Sequence, residues 1–233
     1  MTRAEEKEQR RREREAAEQA ARKSAENRKR LGMVGGGVLL VAIIAVVVLL
    51  VAGGGDDGGG QASGASNASL PAVQIENLSE AARAAGCKVR EDKEESSSHV
   101  QTDVKYKQNP PESGDHDPVP SREGVYGVDN PPDLEQSVHA LEHGRINIQY
   151  KPGTPQQRVD QLAKLFEEKV QGIAGYKTLV FQNQTNMPYA VAATAWTKAL
   201  TCPAWNDKVF DAIRAFRRDN VDKGPEQIPS DFE

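Results

Sequence analysis

Cysteine, tryptophan and histidine are scarce in this chain: two Cys, two Trp and four His among 233 residues. No Cys-x-x-Cys pair occurs, which argues against thiol–disulfide catalysis. Gly-x-Ser-x-Gly and the P-loop pattern are also missing, which removes the usual signs of a serine hydrolase elbow and a nucleotide-phosphate cradle. The Gly-x-Gly-x-x-Gly match at Gly53–Gly58 falls in a Gly/Asp-rich stretch that no predicted strand precedes and no predicted helix follows, so it does not mark a dinucleotide fold. Positive charge is lacking in the body of the chain, where residues 53–233 carry 19 Lys/Arg against 27 Asp/Glu. Phosphate contacts need a basic face, so nucleic acid is not expected as a partner.

One long uncharged run stands out against this polar background. Leu31 to Ala52 are 22 residues without a charge. As a helix they would extend roughly 33 Å, enough for a hydrocarbon core of about 30 Å. A cleaved signal peptide has a shorter charged region and a shorter apolar run than these, so an uncleaved signal anchor is expected. Arg28, Lys29 and Arg30 abut the run on one side, and Asp56 and Asp57 follow it on the other. The positive-inside rule then places residues 1–30 in the cytoplasm and the C-terminal part outside the cell membrane, with the lipid bilayer as a partner.

Four regions follow. Residues 1–30 form a charged tail, helical or disordered, with Glu6–Arg10, Glu8–Arg12, Glu18–Arg22 and Glu26–Arg30 at i,i+4. Residues 31–52 are the transmembrane helix, and 53–70 are a Gly/Ser linker too polar to bury a core. Residues 71–233 make an extracytoplasmic domain. Within it, Asn77 and Glu80 open a short helix to Ala85, and Val100, Thr102, Val104 and Tyr106 alternate as a strand. Asp133–His143 reads as a helix ended by Gly144, and Ile146, Ile148 and Tyr150 as a strand. Val159, Leu162, Ala163, Phe166 and Val170 line one helix face; Tyr176–Gln182 and Ala190–Trp196 read as strands; Asn206–Arg218 is the last helix. Strands and helices mix without regular βαβ repetition, so the fold class expected is α+β.

Cys87 and Cys202 both fall outside the membrane. Two cysteines in an oxidising compartment most simply form one disulfide. Two free thiols or two soft metal ligands are the alternatives.

The histidines are the main chemical signal. All four, His99, His116, His139 and His143, lie within 45 residues of the outer domain. His139 and His143 stand at i,i+4, so both rings share one helix face and can reach one ion. His116 sits in a stretch between Lys107 and Pro132 that contains Pro110, Pro111, Pro118, Pro120, Pro131 and Pro132. A stiffened loop of this length can hold His116 over the helix as a third ligand, with His99 at a strand edge as a fourth. Imidazoles suit copper or zinc. The competing view is that these are surface or hydrogen-bonded histidines with no ion.

His139-Ala-Leu-Glu142-His143 also matches the H-x-x-E-H pattern of zinc peptidases, in which Glu142 would be the general base. Gly144 ends the helix at once, and Glu167 and Glu168, the helix glutamates nearby, lie on a polar face, so Glu142 is expected to orient a histidine or face solvent instead. Met187 beside histidines would favour copper, but a lone Met is usually a packing residue.

Pro110-Pro111-x-Ser113-Gly114-x-His116, Gly124-Val125-Tyr126 and Val138-His139-Ala140-Leu141-Glu142-His143-Gly144 together resemble a bacterial family of unknown function. The resemblance covers residues 75–226 and includes Gly224-Pro225-Glu226. It implies a membrane-anchored protein, mostly of actinobacteria, and brings no established activity. Glu112 and Asp115 stand where the family's loop often has Thr and Pro.

Three functions are compatible with these residues. The first is a membrane-anchored, extracytoplasmic protein binding copper or zinc through His99, His116, His139 and His143. The second is a metal-free module that contacts another cell-envelope protein through the proline loop. The third is a metal-dependent hydrolase using Glu142; enzymatic activity is not otherwise indicated.

Overall fold

The structure, a computed structural model, describes residues 69–226. The charged tail, the apolar run 31–52 and nearly all of the linker lie outside the described residues. Among the described residues no helix is long and apolar enough to cross a membrane.

The domain is α+β. Its helices are α1 (Leu78–Ala85), α2 (Leu134–Glu142), α3 (Gln156–Glu167) and α4 (Lys208–Asn220). Its main strands are β1 (Lys88–Glu91), β2 (Gly124–Val125), β3 (Ile146–Tyr150), β6 (Thr178–Gln182), β7 (Val191–Ala195) and β8 (Lys198–Cys202). These form one six-stranded sheet in the order β1-β8-β7-β3-β6-β2. The β2–β6 and β3–β6 pairs are parallel and the rest antiparallel. A separate hairpin joins β4 (Lys169–Val170) to β5 (Ile173–Ala174).

Both sheet faces are covered, and the period-2 alternation of the strands sorts the residues between them. Ile146, Ile148 and Tyr150 point to the larger core with α1, α3 and α4, where Leu162, Leu165, Phe210, Ile213 and Phe216 are fully buried. Asn147 and Gln149 point to the opposite face, under α2. There Asn147 Nδ2 donates to Ser137 O at 2.8 Å, and Gln149 Oε1 accepts from Asn183 Nδ2 at 2.8 Å. The second face is closed by Val138, Leu141 and Trp196, with Ala140, Leu179 and Phe181 beside them.

Cys87 and Cys202 form a disulfide, with Cα atoms 4.2 Å apart. It joins Cys87, next to the Gly86 cap of α1, to the end of β8, beside the Lys88↔Thr201 pair of the β1–β8 ladder.

Two local expectations are corrected. Val100–Tyr106 alternates but forms no strand; one isolated bridge, His99↔His116, is all the pairing there. Side-chain carboxylates take the backbone donors that a neighbouring strand would otherwise satisfy. Val104 N donates to Glu135 Oε1 at 2.9 Å, and Lys107 N and Gln108 N both donate to Glu95. Val170 is not on α3, which ends at Glu167. Gln171 (φ 51°) and Gly172 (φ 84°) make the tight turn that carries Val170 into the β4–β5 hairpin.

Candidate metal centre

Helix α2 supplies the framework. Asp133 caps it, its side chain accepting from Gln136 N at 3.2 Å. Glu135, Ser137, Val138, His139, Ala140, Leu141 and Glu142 are all buried. One flank lies on the sheet and the other is covered by the segment from His99 to Asp117. On that covered flank the i, i+3, i+4 spacing stacks His139, Glu142 and His143. His143 is the C-cap residue, so the helix ends inside the motif.

The covering segment delivers the other two histidines side by side. Val100 N donates to His116 O at 2.7 Å and His116 N to Ser98 O at 3.0 Å, which fixes the bridge. The His99 and His116 ring centroids are 5.0 Å apart, and those of His116 and His139 are 4.7 Å apart. Pro110, Pro111, Glu112 and Ser113 are buried, and the same stretch carries Gly114 and Asp117, whose carbonyls meet the rings of His116 and His139.

All four histidines meet, in two overlapping groups. His99, His116, His139 and Glu142 each offer a donor atom, all within 4.8 Å of one another. His139, Glu142, His143 and Glu226 do the same. Glu142 Oε2 lies 3.0 Å from His116 Nε2 and 3.9 Å from both His99 Nε2 and His139 Nε2. His139 Nε2 and His143 Nε2 are 2.9 Å apart, and His143 Nε2 is 3.5 Å from Glu226 Oε2. His116, His139, Glu142 and His143 are buried, while His99 is about half exposed and faces solvent.

Backbone carbonyls decide which ring nitrogens are available. His116 Nδ1 is 2.8 Å from Gly114 O, and His139 Nδ1 is 2.6 Å from Asp117 O. A carbonyl oxygen only accepts, so each Nδ1 carries the proton and donates. Each Nε2 is then the nitrogen with the lone pair, the arrangement usual for ligating histidines; that of His116 has no partner, and that of His139 accepts from His143 Nε2 at 2.9 Å. His116 Nε2 and Glu142 Oε2 are buried without a hydrogen-bond partner despite their 3.0 Å separation. Two acceptors held this close need a proton or a cation between them.

Burial sets the protonation. It pushes His139 down to about 3, helped by the neighbouring His143, His116 and His99, against the backbone bond from Asp117. It also lowers His143, with Arg145 acting in the same direction. Burial raises Glu142, while His116 pulls it back. Neutral imidazoles are the metal-binding form.

Met187 is buried, its backbone N bonded to Asn183 Oδ1 at 2.9 Å, and it belongs to neither donor group. Glu168 is engaged by Arg214 at 2.7 Å, outside both groups. Two donors escaped the sequence reading. The sequence has Glu142 orienting a histidine or facing solvent, whereas its carboxylate is buried and stands among the donors. Glu226, far along the chain from the histidines, carried a signal only in the Gly224-Pro225-Glu226 turn.

Comparison with curated proteins and with solved structures finds no match. A family profile, described as a protein of unknown function, matches residues 99–231. That span holds all four histidines, Glu142, Glu226 and more than half of the sequence, and on this evidence the chain belongs to the DUF3105 family.

Proposed function

We propose that this chain is a membrane-anchored, extracytoplasmic protein that binds a transition-metal ion, copper or zinc, with His99, His116, His139 and Glu142 as the first donor set. The observation that carries this reading is the convergence of lone pairs. Two buried histidines are fixed by carbonyls in the tautomer that points Nε2 inward, and a buried carboxylate oxygen joins them. Donors about 2.0–2.1 Å from one tetrahedral ion lie about 3.3 Å from each other. The separations of 3.0 to 3.9 Å around Glu142 need only small adjustments to reach that geometry. Imidazole and carboxylate donors without sulfur suit zinc or divalent copper.

Exposure of His99 leaves a solvent-side approach, which favours an ion that exchanges over one sealed in as a structural staple. The donor position of Glu142 also weighs against its use as a free general base. Placement outside the cell rests on residues 31–52 and the Arg28–Arg30 flank, and the disulfide fits an oxidising compartment.

The test is metal uptake by the purified full chain in detergent, read by elemental analysis and calorimetry. Copper or zinc should bind at neutral pH, and His116→Ala or His139→Ala should remove the ion held by the first donor set. No uptake by a folded protein would end the proposal.

A further inference from the structure

The two donor groups share His139 and Glu142, and they cannot be read as one larger site. His99 and His116 belong to the first group alone, and His143 and Glu226 to the second alone. Donors about 2.1 Å from one ion can be at most about 4.2 Å apart. His139 cannot serve both groups either. Its Nδ1 is committed to Asp117 O, which leaves one lone pair, at Nε2, for one ion. A carboxylate, by contrast, has two oxygens and can lie between two ions.

The position of Glu226 is built with precision. Gly144 follows the motif with φ +77°, and a Cβ there would stand 2.8 Å from Asp222 Cα. A Cβ on Gly224 would collide with the carbonyl oxygen of Glu142 and the amide of Gly144. Asp222 N donates to Gly144 O at 2.9 Å, and Glu226 N donates to Glu142 O at 3.1 Å. The turn is thereby clamped onto the end of α2, and Glu226 Oε2 arrives 3.5 Å from His143 Nε2. The nearby cations are matched: Arg145 pairs with Glu123 at 2.9 Å, and Lys177 with Asp222 at 2.8 Å.

We propose that the centre holds two transition-metal ions, the second on His143 and Glu226, with the carboxylate of Glu142 between the two. This rests on the metal-binding reading above. Two ions sharing a carboxylate would sit about 3.5–4 Å apart, the usual spacing of two-metal sites. His143, which lies outside the first donor set, thereby acquires a ligand role, the ion displacing the proton that its Nε2 shares with His139 Nε2, and Glu226 becomes the acidic donor of the second position.

The experiment loads the full chain in detergent with Zn²⁺ for counting, and with Cu²⁺ for electron paramagnetic resonance. The wild type should hold two ions per chain, and its Cu²⁺ signal should show spin coupling between close ions. Glu226→Gln, which alters an exposed residue and should fold, is expected to hold one ion with an uncoupled signal. His116→Ala should lose the coupling while His143 and Glu226 remain. One uncoupled ion in the wild type would overturn the second site and leave the first intact. Two coupled ions retained in Glu226→Gln would overturn the role of Glu226. No ion at all would instead defeat the metal-binding reading itself.

Discussion

His116 Nε2 and Glu142 Oε2 lie 3.0 Å apart, both buried and neither with a hydrogen-bond partner. Glu142→Gln should separate what this pair does for metal from what it does for folding. The amide can donate to His116 Nε2, so the metal-free variant should melt higher than the metal-free wild type. Metal affinity should fall by at least about tenfold, because the amide is a weaker donor than a carboxylate. Calorimetry and thermal melts of both proteins, with and without zinc, read the two effects. Unchanged affinity would remove Glu142 from the donor set.

Protonation gives a second prediction, away from the histidines. Glu112 is buried, and burial together with the hydrogen bond to Asp92 pushes it up to about 8, against the pull of Arg90 at 3.4 Å. Between its ordinary value of 4.5 and about 8, the folded protein holds a proton that the unfolded chain has released. The stability this contributes is fully present below about 4.5 and is lost as pH rises through about 8. Denaturant unfolding of wild type and Glu112→Gln should therefore show the wild type losing stability relative to the variant between these limits. Parallel pH curves would contradict it. His139 acts in the opposite direction in the metal-free protein. Its folded value of about 3 means that stability is lost as pH falls from 6.5 towards 3.

Removing the Cys87–Cys202 disulfide should cost about 2–5 kcal/mol, since it closes a 115-residue separation. The check is denaturant unfolding of a Cys87→Ser, Cys202→Ser double variant, with mass spectrometry of the non-reduced wild type to find the cross-linked peptide. A variant as stable as the wild type would contradict the prediction.

Topology is tested by labelling. A cysteine introduced at a position within 56–70 should react with a membrane-impermeant reagent on intact cells. One introduced within 3–25 should react only after lysis. The reverse pattern would invert the proposed orientation.

Much of the framework was legible because local chemistry and fold agree. Asn77 and Asp133 cap α1 and α2 as their side-chain types suggest, each accepting from a backbone N–H three residues on. The Ile146, Ile148, Tyr150 alternation marks β3, although it hides that Asn147 and Gln149 are buried too. Strands β1 and β8 were not legible. Lys88–Glu91 is an edge strand, mostly exposed, with one apolar residue, and its identity comes from pairing with β8. The β7–β8 turn uses Trp196-Thr197, with Thr197 at φ 61°, instead of the Asn-Gly or Gly-rich pair that signals a hairpin. Thr197 N donates to Glu112 O at 2.8 Å, a tertiary contact no local pattern announces. The histidines were legible as a group through their spacing. Their division into two donor groups was not, because it depends on which nitrogens Gly114 O and Asp117 O occupy, and on a turn that brings Glu226 back to His143.

Metal content of the full chain, purified without chelator and then titrated with Zn²⁺ and Cu²⁺ at neutral pH, tests the centre most directly. At least one ion per chain should bind and survive desalting, and His139→Ala, which removes a buried donor of the first set, should lower the uptake. A folded wild-type protein that takes up neither ion, or a His139→Ala variant that binds as well as the wild type, would contradict the assignment.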